Sequence, residues 1–457
     1  MVDARGARRF DCEGSLRRRG AVLVIALWLV LIAGVMLLGL NRAARVSSAA
    51  SAGVIDEVHA RWAARAGVET ALAVLADDFS SSDGRSDVWW EDAGAFEDVD
   101  LGNGYTFRVT SPPDPDNPDA VDVSRRLGLD DLAARVNVNG ANGRWLRGLP
   151  GGGAGGAELQ LETSVVDAIQ DWRDGNERAR AGGAERGYYA DLDFPYEIRN
   201  GPLRTPGELL LIKGVDHELL YGEDADRDGV LSRAENDGDQ TMPPDDGDGR
   251  LQRGLAAVTT VDSYEANVDL AGVPRVHLGE ANTVMLQTVF GFSNGLAEEV
   301  REQADGEEDL FDLVGTRDES GDDVDDTELT ELTITWLAQN WERVTLSGEE
   351  RLPGKLNLNT ASRAALESVP RIDDEQVQGI LDRRTSGGDF LGVGELLTSG
   401  IVNDRDFERL AEFFTVSSNV FAINSIGRTP RGTTVSIDAV VDRGDTTPVV
   451  LRWEVGR

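Results

Sequence analysis

Cysteine is almost missing from this chain: Cys12 is the only one in 457 residues. A lone thiol near the N-terminus excludes a disulfide framework and a cysteine-built zinc centre. Histidine is scarce as well. His59, His217 and His277 lie far apart, which suits neither a metal cluster nor a Ser/His/Asp constellation. Positive charge is in deficit: 45 Lys and Arg stand against 82 Asp and Glu, a formal net charge of −37. So negative a body opposes non-specific binding to nucleic acid or anionic lipid, and favours divalent cations. Long apolar runs are absent from all but one stretch.

That stretch is 17–40, RRRGAVLVIALWLVLIAGVMLLGL. Three arginines and a glycine precede twenty uncharged residues. About 20 apolar residues suffice to cross a bilayer as a helix, and the arginines keep their flank cytoplasmic. A secretory signal has its small-residue cleavage site after the apolar core. Here the expected cut lies before it, between Gly20 and Ala21. This arrangement resembles a type IV prepilin leader, of the class trimmed by prepilin peptidase. The rest of the chain then forms a soluble body tethered once. No proline interrupts 41–79, and Ile55, Val58, Trp62, Val68, Leu72 and Leu75 recur every three or four residues, with Arg65 breaking the stripe. The spacing predicts a helix from Ala21 to about Leu75, roughly 80 Å long and packed on one side.

Residues 83–98 read as an acidic loop, 105–109 as a strand, and SPPDPDNP at 111–118 as a breaker. The C-terminal segments FAINSIG, TTVSIDAVVD and PVVLRWEV read as strands between Gly, Pro and Asp turns. Strands just after the first helix and again at the end predict one sheet interrupted by a long insertion. The expected division is a leader at 1–20, the transmembrane and periplasmic halves of the helix at 21–40 and 41–79, strands and loops at 80–124, a mainly helical insertion at 125–415 and closing strands at 416–457. Within the insertion, 298–327 is intensely acidic and expected to be a solvated loop.

Three segments of the insertion share one register: RVNVNGANGRWLRGLPG, RVHLGEANTVMLQTVFG and KLNLNTASRAALESVPR. They open on Arg135, Arg275 and Lys355. Alanine follows six positions on (Ala141, Ala281, Ala361), leucine eleven on (Leu146, Leu286, Leu366), and Leu149, Val289 and Val369 fourteen on. Three matches in register predict repeated supersecondary units. Each is expected to run from a short extended entry through a cap at Asn or Thr into a helix, a tight turn and a second helix. The second helices of the first and last units fall at 165–172 and 377–384. GPLRTPGELLLIKGV after the first unit echoes GDFLGVGELLTSGIV after the last. The last unit resembles helix-hairpin-helix modules. Its hairpin, Val369-Pro370-Arg371-Ile372-Asp373-Asp374, lacks the glycine pair of the DNA-binding members and presents two aspartates. That favours packing between proteins over phosphate binding.

Residues 224–235, DADRDGVLSRAE, fit the loop D-x-D-x-D-G-x-[ILV]-x-x-x-E. Calcium takes six to eight hard oxygen ligands. Asp224, Asp226 and Asp228 offer side-chain oxygens, Gly229 permits the turn, Val230 offers its carbonyl, and Ser232 acts directly or through water. Glu235 closes the site and Leu231 is the inward apolar anchor. The next acidic stretch holds Asp237, Asp239, Asp245, Asp246 and Asp248 but no closing glutamate. It serves either as a second, irregular site or as outer ligands to the first.

Taken together, the leader, RVNVN…LRGLPG…VVDAIQDWRDG, YYADLDFPYEIRNGPL, GPLRTPGELLLIKGV and PGKLNLNTASRAALESVP resemble the protein K family of type II secretion systems, the large minor pseudopilins. The resemblance implies an α+β fold. In it a pilin-like long N-terminal helix packs on an antiparallel sheet, and a large helical domain carrying helix-hairpin-helix-like repeats is inserted in that sheet. It implies structural Ca2+ at 224–235 and in the acidic stretch after it, a methylated mature N-terminus, anchorage in the inner membrane with the body in the periplasm, and other minor pseudopilins as partners. It implies no catalysis and no nucleic acid. Counted from Ala21, the fifth residue is Ile25, where most pilin-like subunits carry a glutamate that meets a neighbour's amine. A subunit with no neighbour above it has no such amine to meet, so the apolar residue suits a filament tip. A membrane-anchored helix-hairpin-helix protein for DNA uptake would need a basic face and hairpin glycines, which are lacking. A calcium-dependent enzyme would need a cleft of perturbed acids.

Overall fold

The computed structural model describes residues 14–78, 80–114, 124–151, 160–238, 240–243, 245, 247, 249–307, 309–315, 331–444 and 447–456. Its first element is a helix of 63 residues, Gly14–Ala76. It begins before Ala21, since nothing in 14–20 breaks a helix, and it ends one residue beyond Leu75. The side chains of its apolar half, from Val22 to Leu40, are exposed almost throughout. With a mean hydropathy of 2.9 in its most apolar window, the helix is long and apolar enough to cross a membrane.

The packed face of this helix keeps only the second half of the stripe that the sequence suggested: Val68 and Leu75 are buried and Leu72 is half-buried. Ile55, Val58 and Trp62 are exposed, and Arg65 faces solvent. Ala60, Ala63, Ala64 and Ala71 are buried in place of the exposed large residues. Close approach explains the swap. A methyl at Gly427 would stand 2.0 Å from the carbonyl oxygen of Ala60, and one at Gly67 would stand 2.2 Å from Ser425 Oγ. Ser425 donates to the Ala64 carbonyl at 2.7 Å. Helix and sheet meet backbone to backbone, which only small side chains allow.

The sheet is antiparallel, in the order Val99–Asp100, Thr106–Thr110, Val420–Arg428, Thr434–Asp442, Val449–Gly456. Asp130–Asp131 also pairs with Val420–Arg428. Thr106–Thr110 and Val420–Arg428 are direct neighbours in register, Asn424 opposite Thr110. The insertion therefore leaves and re-enters between adjacent strands. Residues 83–98 are mostly loop, as expected, but the loop is packed into the core. Asp83, Trp89 and Phe96 are buried, and Trp89 meets Phe421 edge to face with 4.9 Å between ring centres. A short helix, Ala93–Phe96, is capped by Asp92.

The pilin-like core and the insertion have separate apolar clusters. Their junction is polar. Buried Asp131 accepts from Thr360 at 2.6 Å and Ser418 at 2.7 Å, and Arg443 grips buried Asp83 through two bonds of 2.8 and 2.9 Å.

In the insertion the three segments become three units of one design. The entry strands Val136–Asn137, Val276–His277 and Leu356–Asn357 each pair in parallel with a strand that closes the unit: Thr259–Thr260, Val344–Thr345 and Phe414–Thr415. The first helices are Gly143–Gly148, Thr283–Phe290 and Arg363–Glu367, capped by the side chains of Asn142, Asn282 and Ser362. The third cap is thus a serine, where Asn or Thr was expected. The second helices are Thr163–Arg173, Asn294–Gln303 and Asp374–Gly387. Leu146, Leu286 and Leu366 are fully buried. The glycine-rich stretch at 151–156 lies outside the described residues beyond Gly151.

Units 1 and 3 agree in their polar contacts too. Asn139 binds both backbone groups of Leu203, at 2.8 and 2.9 Å, and Asn359 binds both of Phe390, at 2.6 and 2.9 Å. Leu203 and Phe390 are the third residues of the two echoing segments. Arg173 donates to the carbonyls of Val138 and Ala141, and Arg384 to those of Leu358 and Ala361. Unit 2 has Gly279 in the asparagine position.

The expectation of a loop at 298–327 is corrected. Residues up to Gln303 belong to the helix Asn294–Gln303, and the turn Leu310–Leu313 buries Leu313. Leu296, Ala297 and Val300 form a buried stripe that the surrounding acids mask in the sequence. Residues 316–330 lie outside the described residues.

Glu265 ties units 2 and 3 together. It is buried, 2.7 Å from the Arg275 guanidinium and 2.8 Å from the Lys355 ammonium, the opening bases of the two units. Burial alone would raise its carboxyl; Lys355 and Arg275 overcome that and hold it at about 2, below the ordinary 4.5. A depressed carboxylate stabilises the fold above its unfolded value and loses that contribution as pH falls through the folded one. Acid titration of the wild type should therefore show a loss of stability between about pH 4.5 and 2 that Glu265→Gln lacks. At neutral pH Glu265→Ala should cost about 3–5 kcal/mol in denaturant unfolding, because Arg275 and Lys355, both largely withdrawn from water, lose their partner. Gly427→Val should cost about 1–3 kcal/mol by forcing helix and sheet apart; an unchanged unfolding midpoint would show that the backbone contact is not tight.

Candidate metal centre

The loop at 224–235 follows the helix His217–Tyr221, whose N-terminus is capped by Asp216. Its base is closed by backbone. Glu223 N–H donates to the Gln252 carbonyl at 2.7 Å, and a methyl at Gly222 would stand 2.0 Å from that same oxygen. Inside, the aspartates fold the chain on itself. Asp224 Oδ2 accepts from Gly229 N–H at 3.1 Å, Asp226 Oδ1 from Asp228 N–H at 3.2 Å, and Asp228 Oδ1 from Val230 N–H at 2.7 Å. Glu235 reaches back across the loop, accepting from Ala225 N–H and Ser232 N–H, both at 2.9 Å. Arg227 and Gly229 adopt positive φ, 62° and 75°, which curls the chain around its carboxylates.

Asp224, Asp226 and Glu235 each bring a carboxylate oxygen within 4.8 Å of the others. Asp224 and Glu235 are buried, and Asp226 opens to solvent. Asp228 is not among the converging carboxylates. Val230 and Ser232 stand half-buried beside them, and Leu231 is half-buried rather than a core anchor. Asp224 Oδ1 is buried with no hydrogen-bond partner. Burial pushes the Asp224 carboxyl up; Arg253, 3.8 Å away, pulls it down, and Glu235 and Asp228 add to the rise. Asp226 is raised by burial and then by Asp228. Hard oxygens, mutual repulsion and an orphaned buried acceptor fit a divalent cation of the calcium class.

The following stretch is built differently. Asp245 is engaged by backbone, accepting from Asp237 and Gly238 N–H at 2.9 Å and from Gly247 N–H at 2.8 Å. Asp237 accepts from Thr241 N–H at 3.1 Å. Asp239, Asp246 and Asp248 lie outside the described residues.

A second convergence escaped sequence reasoning. Asp78, Asp83 and Asp87 also bring carboxylate oxygens within 4.8 Å. Here the chain supplies its own cation: Arg443 lies 3.1 Å from Asp78 and 2.8 Å from Asp83. No local spacing could reveal it, since the arginine sits at the far end of the sequence.

In the hairpin of unit 3, Asp373 caps the helix Asp374–Gly387, accepting from Gln376 N–H at 2.9 Å while Gln376 accepts from Asp373 N–H at 3.1 Å. Arg371 takes the turn at φ 68°. The Gln376 amide at the helix N-terminus already faces a carboxylate.

Residues 153–221, which run from beyond the first helix of unit 1 to the threshold of the loop, match the family "Type II secretion system (T2SS), protein K". In that stretch the chain is similar to the protein K family of type II secretion systems. Residues 354–415, all of unit 3, match the helix-hairpin-helix motif. No curated protein matches the chain. Among solved structures, a chain of the GspK–GspI–GspJ complex from the enterotoxigenic Escherichia coli type 2 secretion system overlaps with 11% identity and a TM-score of 0.44. That overlap covers 89% of this chain and 99% of that one. The apolar N-terminal helix is compatible with a single membrane anchor.

Proposed function

We propose that the mature subunit starts at Ala21 after cleavage by prepilin peptidase and sits at the tip of a periplasmic pseudopilus. Before assembly its apolar helix is held in the inner membrane and its head lies in the periplasm. The observation that carries the tip position is Ile25 within an uncharged run. A carboxylate there would be costly in lipid unless a neighbouring subunit met it, and the last subunit of a filament has no such neighbour above it. Partners of the kind named with GspK in its solved complex, GspI and GspJ, are proposed from the family match. The head then contributes surfaces and carries out no reaction.

The loop at 224–235 holds one Ca2+ in this reading, through Asp224, Asp226 and Glu235, with the Val230 carbonyl and Ser232 completing the shell. The support is the orphaned Asp224 Oδ1 at the convergence of three carboxylates. The ion offsets repulsion that would otherwise open the loop.

Two measurements test this. N-terminal sequencing from cells with active prepilin peptidase should begin at Ala21; an intact Met1 terminus would remove the pilin reading. Calcium at about 100 times its dissociation constant should stabilise the wild type by about 2.7 kcal/mol, and Asp226→Asn, which leaves the buried acids in place, should lose most of that gain. Equal gains in both proteins would show that the loop is not the site.

A further inference from the structure

Glu185 lies at the end of the loop that follows the helix Thr163–Arg173 of unit 1. It is only 7% exposed, and both its carboxylate oxygens are buried with no hydrogen-bond partner. Among the described residues it is the one acid with both oxygens in that state. Burial pushes its carboxyl up, and Asp171, Asp174 and Glu177 add to the rise against Arg180. The chain passes close over Asp171 just before it: a methyl at Gly183 would stand 1.9 Å from Asp171 Oδ2. The bases at hand are committed elsewhere. Arg180 bridges Asp171 and Asp174 at 2.6 and 2.7 Å, and Arg186 pairs with Glu177 at 3.1 Å. Lys213 donates to the carbonyls of Gly182 and Gly183.

The loop has the count of the one at 224–235. From Asp174, Asn176 is the third residue and Glu185 the twelfth. Asp224, Asp226 and Glu235, the acids that converge in the other loop, hold the first, third and twelfth places there. The turns agree as well. Asp174 Oδ1 accepts from Asn176 N–H at 3.1 Å and Asn176 Oδ1 from Arg178 N–H at 2.8 Å, as Asp226 and Asp228 each accept from the residue two places on. Arg178 and Ala179 stand where the other loop has Asp228 and Gly229.

We infer that Glu185 closes a second divalent-cation site of the calcium class, with Asp171 and Asp174 as its other carboxylates. The two unpartnered oxygens of Glu185 carry this, and the acids and the spacing agree with them. A water molecule could take the hydrogen bonds but would leave the like charges unopposed; a hard divalent cation answers both needs. Asp171 is fully buried and already accepts from the Arg180 N–H and guanidinium, yet a carboxylate keeps lone pairs to spare. The three carboxylates do not converge within 4.8 Å as those of the other loop do, so binding draws 174–185 tighter around the ion. A cleft lined by Asn176, Glu177, Arg178, Ala179 and Arg180 opens on the same loop and admits water to complete the shell. The site does not depend on an ion at 224–235.

That tightening gives the test a readout of its own, since Arg178 and Arg180 are exposed bases within the loop. The full chain in mild detergent, carrying Asp226→Asn to weaken the other loop, is digested with trypsin with and without Ca2+, and the cuts are mapped by mass spectrometry. Calcium should slow cleavage after Arg178 and Arg180 several-fold. Glu185→Gln on the same background should remove that protection while the far-UV circular dichroism stays unchanged. Should Glu185→Gln fail to fold, Asp174→Asn, at the rim of the loop, should remove the protection in its place. Cleavage at these two positions that ignores calcium, or protection that survives both substitutions, overturns the inference. Failure of the loop at 224–235 would appear separately, as a calcium gain in stability that Asp226→Asn leaves intact and Glu185→Gln removes.

Discussion

The contact between the Ala60 carbonyl and Gly427 fixes the rest of this molecule. It presses the backbone of the N-terminal helix onto the strand Val420–Arg428, joining the two ends of the sequence. Such closeness demands small residues on both sides, which Ala63, Ala64, Gly67, Ser425 and Gly427 provide. The larger side chains then fill the flanks, with Val68 and Leu75 on the helix and Phe107, Ile423 and Ile437 on the sheet, all buried. Beyond this seat the helix projects as a single rod, and its exposed apolar half has no partner within the described chain.

Joining the chain's ends dictates how the insertion is held. It must depart after Thr110 and return at Val420, strands that lie side by side. Ser111 and Arg126 bridge the exit, and Asp131 receives bonds from Thr360 and Ser418 at the re-entry. A polar junction of this kind costs desolvation, so its carboxylates are bonded on most sides. Within the insertion the burden passes to Glu265, which answers two opening bases at once. Arg135, the base of unit 1, is answered by Asp130 at 2.7 Å. Each unit is thus anchored by its first residue.

What the sequence made legible was local. The apolar run, the alternation of the C-terminal strands and the register of three repeats each depend on neighbours within a few turns, and each appears in the fold. The face of the N-terminal helix was legible at Val68 and Leu75 but not at Ile55, Val58 and Trp62, where backbone contact selects alanine and glycine instead. Acid density hid the stripe Leu296, Ala297 and Val300. The equivalence of Leu203 and Phe390 was visible only as an echo; its cause, an asparagine binding both backbone groups, needed coordinates.

The two carboxylate convergences show the same limit in miniature. At 224–235 the acids are spaced along one loop, so the pattern itself places Asp224, Asp226 and Glu235 together, even though Asp228 and Leu231 do not take the positions expected of them. At Asp78, Asp83 and Asp87 the spacing is just as local, yet the outcome differs because Arg443, just past the strand Thr434–Asp442, pairs with Asp78 and Asp83. An acidic cluster therefore says little about a bound ion until the cations of the whole fold are placed. What separates the two is a buried oxygen left without a partner: Asp224 has one, whereas Asp83 is bonded through both its oxygens.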